Sequence, residues 1–263
     1  MNHATAFTVE FAGAFELARL VRLLCPSQFA AEALGFTPDH VQQQALDSTS
    51  SRLLLCCTRQ WGKSTTTAAR AVYEAIIRPR SLVLIAAPAS RQSAEVFLRC
   101  ATFLARVNIG RRGDGLNAIS FLLPNGSRIV GLPNSEATIR GFSAPAFLLI
   151  DEASRVPDAL YHALLPMFAT NPKALLWLVS TPNGRQGFFY HEWANPNARF
   201  ERVTVTADDC PRISREYLEE QLATLPRHLF EQEFLCKFHS PEGSLLTDEE
   251  VNTAVDPEAT PIW

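Results

Sequence analysis

The sequence predicts an α/β protein built on a doubly wound, mostly parallel sheet, and three observations carry that prediction. Four short runs (53–57, 81–87, 147–150 and 174–179) are almost wholly apolar, as strands covered on both faces are. Segments with helical apolar spacing stand between them, near 63–77, 90–107 and 158–168. Strands that alternate with helices in this way return parallel to one another. At 263 residues the chain is long enough for one large α/β domain, or for a core with a small appendage.

Taken in order, the first predicted element is a helix over 15–34, with apolar positions at Phe15, Leu17, Leu20, Val21 and Leu24. Gly35-Phe36-Thr37-Pro38 breaks it. Thr37 is placed to cap a second helix with Pro38 at its first position, carrying residues 41–46. Strand 53–57 leads through a loop into a helix over 63–77, which Pro79 ends. The run 81–87 is a strand bounded by Pro88, and 90–107 is the next helix. Residues 119–123 and 128–132 form a hairpin around Asn125-Gly126. Strands 147–150 and 174–179 flank a helix over 158–168. Beyond Pro182 come a short strand at 203–206, a helix over 214–225 with Ser214 as its cap, and a helix over 227–238. These last two helices suggest a small accessory subdomain, followed by an acidic, weakly patterned tail from Pro241.

Composition narrows the function classes. Apolar residues at 47% and charged residues at 19% are ordinary for a soluble globule. A net charge of −3 supplies no global attraction to nucleic acid, so DNA contact requires a local patch. Arg99, Arg106, Arg111 and Arg112 are the candidates for one, against the alternative of a solvated arginine face. The six cysteines (Cys25, Cys56, Cys57, Cys100, Cys210 and Cys236) include no C-x-x-C pair, and read as reduced, buried thiols. No apolar stretch reaches the roughly 18 residues that span a bilayer, and the start lacks a basic segment followed by an apolar one.

The chemistry concentrates where the apolar runs end. Thr58-Arg59-Gln60-Trp61-Gly62-Lys63-Ser64-Thr65 follows strand 53–57 and opens a helix. Backbone N–H groups at such a turn point at an anion, and the helix dipole reinforces them. Lys63 is positioned to reach β- and γ-phosphates and the Ser64 hydroxyl to hold Mg²⁺. The general pattern G-x-x-x-x-G-K-[ST] asks for glycine where this chain has Cys57. In its favour, the chain has only three lysines against 21 arginines, and keeps one of them here.

The strand 147–150 ends in Asp151-Glu152, which puts two carboxylates at the sheet edge where open α/β folds bind ligands. Asp151 is the candidate Mg²⁺ ligand and Glu152 the group that orients or deprotonates the attacking water. The strand 174–179 ends in Ser180-Thr181-Pro182, hydroxyls placed to sense a γ-phosphate. Arg140, in Arg140-Gly141-Phe142-Ser143, is a candidate arginine finger, an element worth about 10³–10⁵ in rate. Arg59 inside the loop competes for that role. Gln42, beside Gln43 and Gln44, would read an adenine edge through its amide, or belong to a solvated helix face.

In this order the motifs resemble the ATPase domain of the large terminase subunit, the DNA-packaging motor of tailed bacteriophages. The residues that carry the resemblance are 38–42, Arg59-Gln60-Trp61-Gly62-Lys63-Ser64, 139–143, 149–153, Ser180-Thr181-Pro182 and the segment 229–238. They span roughly residues 36 to 245. An Arg-Gln-x-Gly-Lys loop without a leading glycine is a trait of that family, so Cys57 ceases to be an objection. The resemblance implies a RecA-like phosphate-loop NTPase fold of the ASCE type, with a parallel sheet flanked by helices and a C-terminal lid. Its expected divisions are a core over 1–206, a helical lid over 207–245 and a tail over 246–263. It further implies ATP and Mg²⁺ as cofactors, Gln42 at the adenine, Ser180 and Thr181 as a coupling motif, and Arg140 reaching a neighbour's ATP. Expected partners are double-stranded DNA, a portal protein, a small terminase subunit and copies of the chain in a ring. The expected setting is the bacterial host cytoplasm and the procapsid, with no membrane.

One departure is expected: only about 18 residues follow the lid-like segment, and Asp248, Glu249, Glu250 and Asp256 are too few and too close to the end for the nuclease domain that large terminases carry. The competing functional classes are a superfamily-2-type helicase fragment and an ATP-binding module that docks on a portal with little hydrolysis alone. The helicase reading needs a second RecA-like domain, for which the region after Pro182 is short.

Overall fold

The computed structural model describes residues 24–117, 119–132, 139 and 141–240. The first part of the helix expected at 15–34, Arg140 and the tail over 246–263 lie outside the described residues. Two helices open the described chain, α1 (Pro26–Glu32) and α2 (His40–Asp47). Then follow β1 (Arg52–Cys57), α3 (Lys63–Ile77), β2 (Leu82–Ala86) and α4 (Ser90–Arg106). A hairpin of β3 (Ser120–Leu122) and β4 (Arg128–Gly131) precedes β5 (Phe147–Asp151). Next come α5 (Asp158–Leu164), β6 (Leu175–Ser180), α6 (Gly187–Ala194) and β7 (Glu201–Val205). Helices α7 (Arg215–Thr224) and α8 (Arg227–Leu235) close it.

The seven strands form one sheet in the order β3-β4-β2-β5-β6-β1-β7, parallel except for β3 against β4. Strands of this kind are hydrophobic on both faces because both faces are covered. Along β1, Leu53, Leu55 and Cys57 join the core on one side of the sheet, and Leu54 and Cys56 join the core on the other. The helix α3 fills the first of these layers with Ala68, Ala69, Val72 and Ala75. Its small residues let it lie close to the strands.

Register decides what meets at the sheet edge. Cys56 of β1 lies opposite Ser180 of β6, and Val179 of β6 lies opposite Asp151 of β5. The loop after β1, the acids after β5 and the hydroxyls of β6 therefore share one end of the sheet. Because β6 runs between β1 and β5, the loop and the acids face each other across its end, about 10 Å apart at the strand axes.

The structure departs from the sequence reading in four places. The cap of α2 is Asp39 rather than Thr37: its carboxylate accepts the Gln42 N–H at 2.9 Å, and Gln42 Oε1 accepts the Asp39 N–H at 2.9 Å. This reciprocal capping box satisfies two end groups at once, more than a Thr-Pro start offers. The last helix stops at Leu235, where Cys236 turns left-handed with φ 57°. The strand expected at 203–206 is present as β7 but begins two residues earlier, at Glu201, and pairs parallel with β1 as the sheet's edge. Helix α6, not assigned from sequence, is apolar on most sides (Gly-Phe-Phe-Tyr-His-Glu-Trp-Ala), so it carried no amphipathic signal.

Five of the six cysteines are buried and Cys25 is half-buried, all as free thiols. Among the described residues no helix is long and apolar enough to cross a membrane.

Candidate active site

The loop 58–65 is shaped by backbone conformation and anchored by its own side chains. Cys57 stays in the strand, opposite Val205, with its side chain in the core. The turn comes later, at Gln60 (φ 64°) and Gly62 (φ 97°). Gly62 caps α3 in the left-handed conformation, and a Cβ there would lie 3.0 Å from Gln42 Nε2. Thr65 and Thr66 N–H both donate to Gly62 O at 3.0 Å, so the N–H groups of Lys63 and Ser64 belong to the open first turn. Trp61 is fully buried and holds the loop down as a core residue. Its carbonyl accepts from Gln42 Nε2 at 2.9 Å and from Arg212. Arg212 also pairs with Asp39 at 2.9 Å.

Across the end of β6, Lys63 Nζ stands 3.7 Å from Glu152 Oε1. Burial opposes the Lys63 charge, but Cys57, Glu152 and Asp151 together overcome it and hold the ammonium above its ordinary range. Burial pushes the Cys57 thiol up, leaving it neutral near pH 7, so there the attraction comes from the two carboxylates. Asp151 is nearly fully buried, and its pKa is raised to about 6 by burial and by Glu152, against the pull of Lys63. Its Oδ1 has no hydrogen-bond partner among the described residues. A buried, unpaired carboxylate oxygen facing a lysine at a sheet edge is costly unless a ligand completes it.

Glu152 has a left-handed backbone (φ 49°), and the short 3₁₀ turn Ala153–Arg155 follows it. This turn is laced to β6: Ser154 N–H donates to Ser180 Oγ at 3.2 Å, and Ser154 Oγ donates to Thr181 O at 2.8 Å. Arg155 lies 3.3 Å from Glu152 Oε2 and donates to Thr181 Oγ1 at 3.2 Å.

Helix α8 docks on the loop through Glu233. Its side chain pairs with Arg59 at 2.6 Å and its carbonyl accepts from Thr58 Oγ1 at 3.0 Å. Gln232 accepts the Gly184 N–H at 3.2 Å. Phe230 and Phe234 of α8 pack with Ala207 in a small cluster apart from the two sheet layers.

Of the residues expected at the site, Lys63, Ser64, Asp151, Glu152, Ser180 and Thr181 share one sheet edge. The side chains of Thr58 and Trp61 face the protein and anchor the loop. Gln42 uses its amide oxygen on Asp39 and its amide nitrogen on Trp61, and so supports the loop. Arg59 is paired with Glu233, and Arg140 lies outside the described residues. Sequence reading missed Ser154, Arg155, Arg212 and Glu233. The first two follow Asp151-Glu152-Ala153, and Glu233 stands in the lid-like segment, so their positions were visible but their partners were not.

A parallel sheet with a loop-to-helix phosphate cradle on one strand and paired acids two strands away defines the class: a RecA-like phosphate-loop NTPase fold. Residues 55–253, most of the chain, match the family described as "Terminase large subunit, T4likevirus-type, N-terminal", and the chain belongs to that family. The terminase large subunit of Thermus virus P23-45 is 27% identical over 267 residues, covering 86% of this chain and 54% of that protein. The chain thus spans about half the length of the curated relatives it matches. Among solved structures, a mutant of the Thermus phage P74-26 large terminase ATPase domain superposes with a TM-score of 0.71 at 25% identity, covering 81% of this chain and 99% of that one. The large terminase of a thermophilic bacteriophage, solved in complex with ADP, shares the fold at 12% identity with a TM-score of 0.62, covering 72% of this chain and 48% of that one.

Proposed function

We propose that this chain hydrolyses ATP to drive double-stranded DNA into a procapsid, as the motor part of a terminase large subunit. The observation that carries the reading is the pairing of Lys63 with Glu152 at 3.7 Å beside Asp151, whose Oδ1 has no hydrogen-bond partner among the described residues. A loop lysine and a candidate base meet at the place a γ-phosphate would take, and a bound nucleotide would draw Lys63 from Glu152 to its own oxygens. The solved relatives add support, since one is an ATPase domain and another was solved with ADP.

In this reading Lys63 and the loop N–H groups bind the β- and γ-phosphates, and Glu152 orients the attacking water and takes its proton. Asp151 and Ser64 fit a Mg²⁺ ion, because Asp151 Oδ1 is a buried carboxylate oxygen with no donor among the described residues. The ion, when bound, supplies charge neutralisation at the phosphates. Residues 207–245 act as a lid, joined to the loop by Glu233. Arg140 serves a neighbouring subunit's ATP in a ring on the portal, with Arg59 as the competing finger. The proposed setting is the host cytoplasm and the procapsid, with a small terminase subunit as a further partner.

Turnover assays on Lys63→Ala and Glu152→Ala test the core of the reading: each should abolish ATP hydrolysis, and turnover that survives either change sinks it. Arg111 and Arg112 border a surface cavity of about 450 Å³ with Leu122 and Pro124, and are the proposed DNA contacts. Salt-dependent DNA binding should weaken in Arg111→Glu/Arg112→Glu. DNA cleavage is not part of the reading for these 263 residues, and Mg²⁺- or Mn²⁺-dependent nicking of plasmid by the pure protein would contradict it.

A second reading is an ATP-binding module with little hydrolysis alone. It is favoured by the Arg59–Glu233 pair at 2.6 Å, which occupies the one candidate finger inside the described loop.

A further inference from the structure

Arg155 belongs to none of the motifs that point to the site, yet its guanidinium touches three of their parts. Nη1 lies 3.3 Å from Glu152 Oε2 and donates to Thr181 Oγ1 at 3.2 Å, and Nη2 lies 3.9 Å from Glu233 Oε1. The other Glu152 oxygen faces Lys63. Glu152 is therefore gripped by two cations, while the bonds of Ser154 to Ser180 and Thr181 hold its left-handed backbone. A triphosphate on the loop draws Lys63 to its own oxygens, and Arg155 is then the cation that remains on the carboxylate.

We propose that Arg155 is a positioning residue for hydrolysis, setting the direction of the Glu152 carboxylate and connecting it to Thr181 and Glu233. The planar guanidinium suits this task because its fork bonds several acceptors at fixed angles, which an ammonium does not. Arg155 leaves nearly a third of its side chain exposed, so a change there removes the link without opening the core. The proposal rests on the reading of Glu152 as the base.

The test compares Arg155→Gln and Arg155→Lys with the unsubstituted chain in ATP turnover, alongside binding of a fluorescent ATP analogue. Misplacing a reacting group by an ångström costs about 10²-fold, so kcat of Arg155→Gln should fall by about that factor with KM and analogue affinity little changed. Arg155→Lys, which keeps the charge and loses the fork, should fall between. Thr181→Val should add little to Arg155→Gln, because both break one connection. Amide hydrogen exchange over 152–156 should quicken in Arg155→Gln while the unfolding midpoint holds. The proposal is overturned if kcat of Arg155→Gln stays within about twofold of the parent. Where the parent turns over too slowly to compare, unchanged exchange at 152–156 overturns it. Hydrolysis that survives Lys63→Ala defeats the reading of the site itself, a result distinct from an indifferent Arg155.

Discussion

Gly62 shows how much a single backbone conformation decides at this site. With φ at 97° and Gln42 Nε2 only 3.0 Å from where a Cβ would lie, the position excludes side chains twice over. The left-handed region alone costs an L-residue about 1–2 kcal/mol. Gly62→Ala should therefore abolish nucleotide binding and lower stability by about that amount or more, read by analogue titration and urea unfolding. Asp151 gives a pH signature. Its folded pKa of about 6 stands above its ordinary 3.8, so the protonated carboxyl is the form that suits the nucleotide-free fold. That contribution is fully present below pH 3.8 and is lost as the pH rises through about 6. The loss should amount to about 3 kcal/mol. Urea unfolding from pH 4 to 8 should show the decline, and Asp151→Asn should flatten it and be the more stable chain near pH 7. A parent curve as flat as the variant's would contradict this. Lys63, Asp151 and Glu152 were legible in the sequence because Lys63 opens a helix just after one apolar run and the two acids close another. Arg155 and Glu233 were not, since their role depends on partners up to 175 residues away that only folding brings near.

At the scale of elements, α3 carries both the loop and a buried ionic seam. Arg70 pairs with Glu74 at 2.9 Å, Glu74 pairs again with Arg78 at 2.9 Å, and Arg70 donates to the Leu46 carbonyl at the end of α2. Arg70 also lies over the Trp177 ring, 5.4 Å from its centroid. Burial lowers the Arg70 pKa against the support of Glu74, so the guanidinium depends on that partner. Breaking a buried pair leaves an uncompensated charge, and Glu74→Ala should cost about 3–5 kcal/mol. Replacing both partners, as in Arg70→Met/Glu74→Leu, should recover most of that loss in urea unfolding. Helix and strand bounds were readable where period and punctuation agreed: 63–77 matches α3 to the residue. They failed where two local signals competed. Thr37-Pro38 is a good helix start, but the Asp39–Gln42 capping box satisfies more end groups, and Gln42 is then held under the loop.

For the whole molecule, the candidate site is an outcome of strand order. The sheet places β6 between β1 and β5, so Ser180 and Thr181 sit between the phosphate loop and the acids. Helix α8 reaches the same edge from a small cluster of its own, which lets Glu233 hold Arg59. If a finger from a neighbouring subunit is needed, ATP turnover per chain should rise steeply with protein concentration, and Arg140→Ala should abolish the rise. Turnover independent of concentration would place the finger within the chain, at Arg59. A complementary measurement is the thermal midpoint with Mg²⁺-ADP, which should rise with ligand concentration as mass action requires and not rise in Lys63→Ala.

The sequence by itself determined the layers of the fold and the chemical alphabet of the site. Continuous apolar runs and helical spacing are local records of burial on both faces, and a loop lysine or a strand-end acid is marked by its immediate neighbours. The tertiary structure alone decided the strand order, the register that aligns Cys56, Ser180 and Asp151, and the pairings of Glu152 with Lys63 and Arg155 and of Glu233 with Arg59. Those are contacts between residues distant in the chain, set by which hydrophobic faces pack together, and no local pattern encodes them.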